Sequence, residues 1–242
     1  MTGPILGLDA SAAQCAAAVV SDGRVLASRS EPMGKGQAER LAPLIQEVLA
    51  EAGVAPRALS GIGVCTGPGN FTGVRIGVSA ARGLALAIGR PSVGVPRLQA
   101  LAQAAGRAGA EGPVLALAAA RRDERHAQLF EILVDETGEP VAEALGEAVQ
   151  ASLAALPDLF AEAPVACVRG PGAGELATAL DVIALDEGDL PDPVDVARIA
   201  ARILAALPPG ARPERPAPIY PRPPEADPPS EAPPPLLDGA PG

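Results

Sequence analysis

The sequence predicts an α/β protein built from two lobes. Short apolar runs typical of buried strands alternate with segments in which apolar residues recur at helical spacing, and this alternation starts again after residues 112–113. A length of 242 residues is enough for two modest domains, each with its own core. We assign residues 1–110 to a first lobe and residues 111–210 to a smaller second lobe, some of whose C-terminal elements can return to the first. Residues 211–242 form a proline-rich tail.

The first lobe begins with a three-stranded meander. Its strands are predicted at residues 5–9, 15–20 and 25–28, and the dipeptide Asp22-Gly23 signals the hairpin between the last two. The elements that follow alternate between helix and strand, in the order helix 38–52, strand 61–65, glycine-rich segment 67–73, helix 74–88, strand 92–95 and helix 97–108.

The second lobe shows the same kind of pattern. Its predicted elements are strand 114–118, a strand-like run at 127–134, a turn at 136–139, strand 165–168, the glycine-rich segment 170–174 with a short helix, strand 182–185 and helix 194–207. From residue 208 onward proline is too dense for a packed core, which predicts an extended or disordered tail.

The chain is strongly acidic, with a net charge of −10 and an isoelectric point near 4.7. Affinity for a phosphate backbone comes from clustered lysine and arginine, so we expect no direct tight binding of nucleic acid by this chain alone. An acidic surface fits either docking on a basic partner or simple solubility. Aromatic residues make up only 2%, so the core must be built from Ala, Val, Leu and Ile.

The three cysteines indicate a reducing compartment. Cys15, Cys65 and Cys167 are far apart, form no C-x-x-C motif, and each lies in a strand-like apolar run, which predicts buried reduced thiols. The N-terminus has no basic region before Asp9, and no uncharged apolar stretch reaches the roughly 20 residues that a membrane span needs. We therefore expect a cytoplasmic protein with no membrane partner.

The glycine-rich segment 67–73 lies between a strand and a helix, where backbone N–H groups can receive a phosphate. It is not a Walker A loop, because that motif needs Gly-Lys-Ser/Thr and the only lysine of the chain is Lys35. Its glycine spacing also differs from the dinucleotide-binding fingerprint. The alternative is that the glycines let a tight turn pass under a neighbouring element. The spacing leaves both interpretations open.

The string Gly67-Pro-Gly-Asn-Phe-Thr-Gly-Val-Arg-Ile-Gly77 closely resembles the signature of the TsaB (YeaZ) family, which usually has Ser in place of Asn70. Three further segments resemble family patterns, namely the opening turn at 8–11, the helix continuation at 81–85 and, with Pro221 in place of Leu, the terminal Pro-x-Tyr-Leu-Arg pattern at 218–222. The resemblance spans residues 5–222 and is strongest before Leu98.

The resemblance implies an actin-like fold of two related lobes, of the ASKHA and ribonuclease H-like type. It also implies a pseudo-enzyme that pairs with TsaD, the metalloprotein that transfers a threonylcarbamoyl group to tRNA, while the ATPase TsaE joins the complex. A homodimer of the chain alone, through the elements that would otherwise bind TsaD, stays open. No cofactor is required by this chain, although ATP or ADP held weakly or at an interface stays open.

Few residues could carry catalysis. The chain has one histidine, His126, predicted as an ordinary polar position at the edge of a strand, so neither a metal site nor a Ser/His/Asp set can be assembled around it. In active members of the actin-like superfamily an Asp ends the first strand and helps to organise phosphate and metal. Asp9 holds that position here, whereas Ala119 stands where the family usually has a second Asp.

Two interpretations of Asp9 follow. With Ser11, Gly67, Gly69 and Thr72, it would form a vestigial nucleotide or phosphate site. Alternatively, its carboxylate caps the turn at residues 10–14 through backbone N–H groups.

The resemblance also implies a partner interface on helices 38–52 and 74–88. The second of these carries Gly73, Gly77 and Ala81 at four-residue intervals, a thin stripe that permits close helix approach. This stripe would pack either on a partner or on the chain's own sheet. The larger candidates, to be divided between core and partner, are Leu41, Leu44, Val48, Val78 and Leu84.

Two rival functions remain at this point. An ATP-dependent small-molecule kinase of the same superfamily would use Asp9 and the glycine-rich segment for phosphate, but no second convincing carboxylate stands at a strand end. A peptidase would need metal ligands that the sequence does not supply.

Overall fold

The computed structural model describes residues 3–186 and 188–219, which form two β-sheets and six α-helices. In chain order the elements are β1 (Ile5–Asp9), β2 (Gln14–Ser21), β3 (Arg24–Pro32), α1 (Gln37–Glu51), β4 (Gly61–Cys65), α2 (Phe71–Ile88), β5 (Ser92–Val95), α3 (Arg97–Arg107), β6 (Val114–Ala119), β7 (Glu124–Val134), β8 (Pro140–Ala144), β9 (Val149–Ser152), α4 (Leu156–Phe160), β10 (Cys167–Arg169), α5 (Ala173–Leu180), β11 (Ile183–Ala184) and α6 (Pro193–Ala205).

The two sheets repeat one strand order. The first sheet runs β3-β2-β1-β4-β5, with an antiparallel meander from β1 to β3 and parallel pairing of β1, β4 and β5. The second sheet runs β8-β7-β6-β10-β11 with the same pairing directions, and β9 adds to β7. The predicted α/β fold with two related lobes is therefore confirmed, and each lobe is one copy of the repeat.

Helices cover both faces of each sheet, and one helix of each lobe crosses to the other sheet. On the first sheet α1 and α2 pack on one face and α6 on the other. On the second sheet α4 and α5 pack on one face and α3 on the other. Because α6 follows β11 in the chain but lies on the first sheet, residues 193–205 belong structurally to the first lobe and not to the second.

Several elements differ from the predictions. Helix α2 begins at Phe71, three residues before the predicted start at Val74, because the side chain of Asn70 caps it. Strands β8 and β9 and the short helix α4 were not predicted, since their runs are short and only partly buried. The predicted edge position of His126 is wrong, because β7 lies between β6 and β9 there and the side chain is buried.

The first part of the predicted tail contacts the first lobe. The backbone N–H of Ile219 donates to the carbonyl oxygen of Thr66 at 2.9 Å, directly after β4. Residues 211–219 therefore run back along the first lobe. The rest of the predicted tail, including Tyr220, Pro221 and Arg222 of the family-like terminal pattern, lies outside the described residues.

Helix α2 is the one helix of residues 3–186 and 188–219 that is long and apolar enough to cross a membrane by length and composition alone. One stripe of α2, which includes Val74, Val78 and Ala81, packs into the core of the first lobe. The other side carries Arg75 and Arg82 and is exposed. In this fold α2 is therefore a core helix with one open face.

Candidate functional site

The carboxylate of Asp9 is buried at the end of β1 and bonded by its own turn. One oxygen accepts hydrogen bonds from the backbone N–H of Ser11 at 2.9 Å and from its hydroxyl at 2.6 Å. The other accepts from Gln14 Nε2 at 2.7 Å. Asp9 thus caps the turn at residues 10–14, as the second interpretation of this residue predicts, and each of its oxygens has a partner within the chain.

A cysteine lies directly beneath this turn. The Ser11 hydroxyl is 3.1 Å from the sulfur of Cys65, and burial with the nearby charge of Asp9 raises the pKa of the Cys65 thiol. Burial, followed by the negative charge of Glu31, raises the pKa of Cys15 to about 11. All three cysteines, Cys167 included, are free and buried, which confirms the predicted reduced thiols.

The glycine-rich segment packs against the same turn. A β-carbon on Gly69 would collide with the carbonyl oxygen of Ser11, and one on Gly73 would collide with that of Ala10. Gly67 has a φ of 90°, a left-handed conformation that favours glycine. The backbone N–H of Asn70 then donates to the Ser11 carbonyl at 2.7 Å. Glycine at these positions therefore allows the backbone of the segment to lie directly against the backbone of the Asp9 turn.

The start of α2, where a phosphate was expected, is occupied by the chain itself. Asn70 Oδ1 accepts from the backbone N–H groups of Thr72 at 3.1 Å and Gly73 at 3.2 Å. The N–H of Val74 bonds to the Asn70 carbonyl at 2.9 Å. Donors that would hold an anion at a helix N-terminus are thus satisfied by a side-chain cap.

A buried arginine that the sequence did not reveal holds the segment in place. Arg97, at the start of α3, donates from Nη1 to the Pro68 carbonyl at 3.3 Å. Its Nε donates to the Asp189 carbonyl at 3.0 Å, and its Nη2 lies 2.8 Å from Asp189 Oδ2. Nothing in the local pattern distinguishes Arg97 from an exposed helical arginine, because its burial depends on the second lobe.

The segment before α6 closes over the place where the Asp9 turn and the glycine-rich segment 67–73 meet, which we call the Asp9 corner. Asp189 Oδ2 also accepts from the backbone N–H of Ala119 at the end of β6, at 3.4 Å. Gln14 Nε2 donates to the Pro191 carbonyl at 2.7 Å, so the same amide touches both Asp9 and this segment. The mouth between the two lobes is therefore lined by groups that already bond to one another.

The Asp9 corner offers few ligands for a metal. Across residues 3–186 and 188–219, no group of three or more His, Cys, Asp or Glu side chains is arranged to hold a metal ion. The equivalent first strand of the second lobe, β6, ends in Ala119, and His126 lies further along the neighbouring strand, where it is buried. Asp9 is thus the only carboxylate that a first strand of either sheet contributes within the described residues.

The helix residues predicted to face a partner lie mostly inside the chain. Both Gly73 and Gly77 are buried on the sheet side of α2, where a β-carbon on Gly77 would be 3.4 Å from a methyl group of Val64. The thin stripe therefore packs on the chain's own strands. A leucine substituted at Gly77 or Ala81 would disturb the core of the first lobe, so it would not test binding to a partner. Of the five larger candidates, four are buried in the core of the first lobe, namely Leu41, Leu44, Val48 and Val78, and Leu84 is half-buried at its margin. Ala81 of the thin stripe is buried as well.

The open face of α2 carries a different set of residues. Phe71 is 53% exposed and Leu86 is 85% exposed, so two large apolar side chains lie in solvent on one face of the helix. The guanidinium of Arg75 stacks on the Phe71 ring, 3.7 Å from its centroid. The exposed small residues Ser79 and Gly83 between them leave the strip flat. Their spacing of three and four residues was available in the sequence, but it marks a face without saying which face is buried.

Comparison with known proteins places this arrangement in a family. The family model described as TsaD, tRNA N6-adenosine threonylcarbamoyltransferase, matches residues 31–168. The tRNA threonylcarbamoyladenosine biosynthesis protein TsaB of Escherichia coli (strain K12) is 37% identical over 120 residues, 50% of this chain and 52% of that protein. YeaZ from Pseudomonas aeruginosa superposes with a TM-score of 0.74 and 31% identity over 91% of this chain and 100% of that one. The chain belongs to the TsaB (YeaZ) family.

The sequence match to TsaB proteins is shorter than the structural match, and the fold is shared more widely than the sequence. The sequence alignment with the Escherichia coli TsaB spans about half the length of that relative, although the superposition on YeaZ covers the whole of it. The ROK hexokinase of Thermus thermophilus shares the fold with a TM-score of 0.54 at 18% identity, covering 84% of this chain and 100% of that one. The TsaB-family chain therefore has the two-lobed ASKHA architecture that the sequence resemblance implies.

Proposed function

We propose that this chain is a non-catalytic subunit of the bacterial assembly that makes N6-threonylcarbamoyladenosine in tRNA. It binds the transferase TsaD and stabilises the arrangement in which TsaD is active, with TsaE as a further member of the assembly. The chain requires no cofactor of its own, and a weakly or interface-bound ATP or ADP would be incidental to this role. The names of its TsaB and TsaD relatives support the pathway.

The observation that carries the non-catalytic role is the closed Asp9 corner. Phosphoryl transfer needs several carboxylates and an open phosphate cradle. Here the Asp9 carboxylate is bonded to Ser11 and Gln14, and the start of α2 is capped by Asn70. A nucleotide phosphate would have to displace these bonds and leave buried polar groups without partners, which costs about 1–3 kcal/mol for each group.

The proposed surface for TsaD is the open face of α2, from Phe71 to Leu86. An apolar strip flanked by Arg75 and Arg82 has the composition of an interface core, in which aromatic residues and arginine are enriched. Flat small residues between the two large side chains allow a partner helix to approach closely. The same strip would be covered in a homodimer when TsaD is absent.

The decisive experiment is reconstitution of tRNA modification by TsaD and TsaE with and without this chain. Dependence of the modification on the chain is expected. A Leu86→Asp variant should bind TsaD roughly 30-fold more weakly in a titration, because a charge replaces a large apolar side chain that binding would bury. Val134→Asp is the matched control, since Val134 is 69% exposed at the end of β7 in the other lobe.

Equal loss of TsaD binding in both variants would count against the α2 surface. Modification that proceeds at full rate without the chain would count against the function. A kinase of the same fold is the competing proposal, and calorimetric titration with ATP and Mg²⁺ separates the two. Tight binding with turnover by the purified chain would favour the kinase, whereas weak binding without turnover is expected here.

A further inference from the structure

A groove of about 940 Å³ opens beside the C-terminal end of α2. Its walls come from the end of α2, the end of α6, the residues before β4 and β5, and the stretch that follows α6. The groove lies at the strand ends opposite to the Asp9 corner, because β1 and β4 begin here and end there. It is thus separate from the closed site between the lobes.

The charge of this groove is opposite to that of the chain. Its lining includes four arginines, Arg82, Arg90, Arg212 and Arg215, and neither aspartate nor glutamate. The whole chain has 29 acidic and 19 basic residues, so a lining of arginines without acids runs against its composition. Two other arginines of the first lobe, Arg29 and Arg40, pair with the carboxylate of Glu47.

The four arginines have no ion pair with any residue in the described ranges 3–186 and 188–219. Like charges gathered along a concave wall raise the local potential and attract a counter-ion. The planar guanidinium fork matches phosphate oxygens in geometry as well as in charge. A lining of this kind suits a polyanion with several phosphates better than a single small anion.

We propose that this groove binds the phosphate backbone of the tRNA that the assembly modifies, an inference that rests on the proposed function. Two observations favour this occupant. Arg82, Gly83 and Leu86 line the groove and also belong to the open face of α2, so the groove borders the surface proposed for TsaD and RNA bound to TsaD could extend into it. In addition, the four arginines of the groove have no carboxylate partner within the described part of the chain, so their guanidinium groups are available to bind backbone phosphates. The acidic net charge makes binding by the chain alone weak, so the groove contributes as part of a composite RNA surface.

The test is a titration of fluorescently labelled tRNA with the complex of this chain and TsaD, at several salt concentrations. The variant carries Arg90→Gln, Arg212→Gln and Arg215→Gln, which leaves Arg82 on the α2 face unchanged. We expect its affinity for tRNA to fall roughly tenfold or more, and the slope of log K against log salt to shrink by about 2. Arg24→Gln is the matched control, because Arg24 is an exposed arginine at the opposite edge of the first sheet, and it should change neither quantity.

An affinity within about twofold of the wild type, with an unchanged salt slope, would overturn the inference while complex formation with TsaD still supported the proposed function. If no complex with TsaD forms, the proposed function fails. The groove is then tested by titrating labelled tRNA with the chain alone, wild type against the triple variant. Binding is weaker in this case, and the variant is still expected to show the smaller slope of log K against log salt.

The competing occupant is the acidic end of this chain. A synthetic peptide of residues 220–242 carries Glu225, Asp227, Glu231 and Asp238. Binding of this peptide that is lost in the triple variant, together with tRNA binding that the variant leaves intact, would also overturn the RNA assignment.

Discussion

The two helices that cross between the lobes meet their sheets in different ways. Helix α6 lies on glycines of the first sheet, since a β-carbon on Gly7 would collide with the Pro193 carbonyl and one on Gly63 would lie 2.8 Å from the Val196 carbonyl. Helix α3 lies on side chains of the second sheet, among them Val114 and Ala116. The two lobes have the same topology, but the backbone of α6 lies almost against its sheet, whereas side chains separate α3 from its sheet.

This difference decides the shape of the Asp9 corner. Gly7 stands two residues before Asp9, and its missing side chain lets the start of α6 reach the end of β1. The segment that precedes α6 is then close enough for Gln14 to bond to the Pro191 carbonyl. Close docking of α6 thus closes the corner in which an enzyme of this fold would have to hold a phosphate. Packing in the first lobe is therefore the physical cause of the proposed lack of catalysis.

The largest effect is expected where the two crossing helices join. Arg107 of α3 makes a bidentate pair with Asp195 of α6 at 2.7 and 2.8 Å, and Asp195 is fully buried. The hydrogen bonds to Asp195 raise the pKa of the Arg107 guanidinium, so the arginine stays charged. Arg107→Met leaves a buried carboxylate without its partner, and we expect about 3–5 kcal/mol less free energy of unfolding in a denaturant titration.

Two further variants test the cause of that loss. Arg29→Met removes an exposed arginine paired with Glu51 and should cost no more than about 1 kcal/mol. Arg107→Met with Asp195→Leu should recover part of the lost stability, because no unpaired charge then remains. A cost for Arg107→Met no larger than that for Arg29→Met would show that the pair does not hold the helices together.

A smaller effect is expected from the glycines beneath α6. Gly63→Ala places a methyl group against the Val196 carbonyl and the β-carbon of Ala200, and overpacking of this kind costs about 1–3 kcal/mol. Thermal unfolding followed by circular dichroism would measure it. Gly146→Ala is the control, since a β-carbon there meets nothing within 4 Å. Equal melting temperatures for the two variants would mean that α6 can shift away from the sheet without loss.

The smallest effect concerns the buried thiols. At about pH 8 the folded chain should resist alkylation by iodoacetamide, because burial keeps Cys15, Cys65 and Cys167 inaccessible and raises their pKa values. In denaturant all three should react. Because the folded pKa of Cys15, about 11, exceeds the unfolded value of about 8.5, its contribution to stability is complete below about pH 8.5 and is lost as the pH rises toward 11. Rapid labelling of the native chain, detected by mass spectrometry, would contradict this burial.

Local sequence determined the elements whose signals are short-range. The Asp22-Gly23 hairpin, the strand at Gly61–Cys65 and the helix at Gln37–Glu51 follow from turn chemistry and from periodicity, and the structure contains all three. The capping of the turn by Asp9 could also be foreseen, because an Asp at a strand end bonds to N–H groups within a few residues. The sequence pattern predicts the start of α2 three residues too late, because it includes Asn70 in the glycine-rich segment and does not identify it as a cap.

Tertiary structure alone decided which side of each helix is buried. Leu41, Val48 and Val78 have the same periodicity whether they face a sheet or a partner, and only the packing of α1 and α2 on the first sheet separates them from Phe71 and Leu86. The arginines of the groove are separated by up to 133 positions along the chain, from residue 82 to residue 215, and no local pattern connects them. Sequence by itself therefore determined the family and the elements, because those signals extend over a few residues. The closed corner, the open face and the basic groove arise from contacts between segments that are distant in the chain.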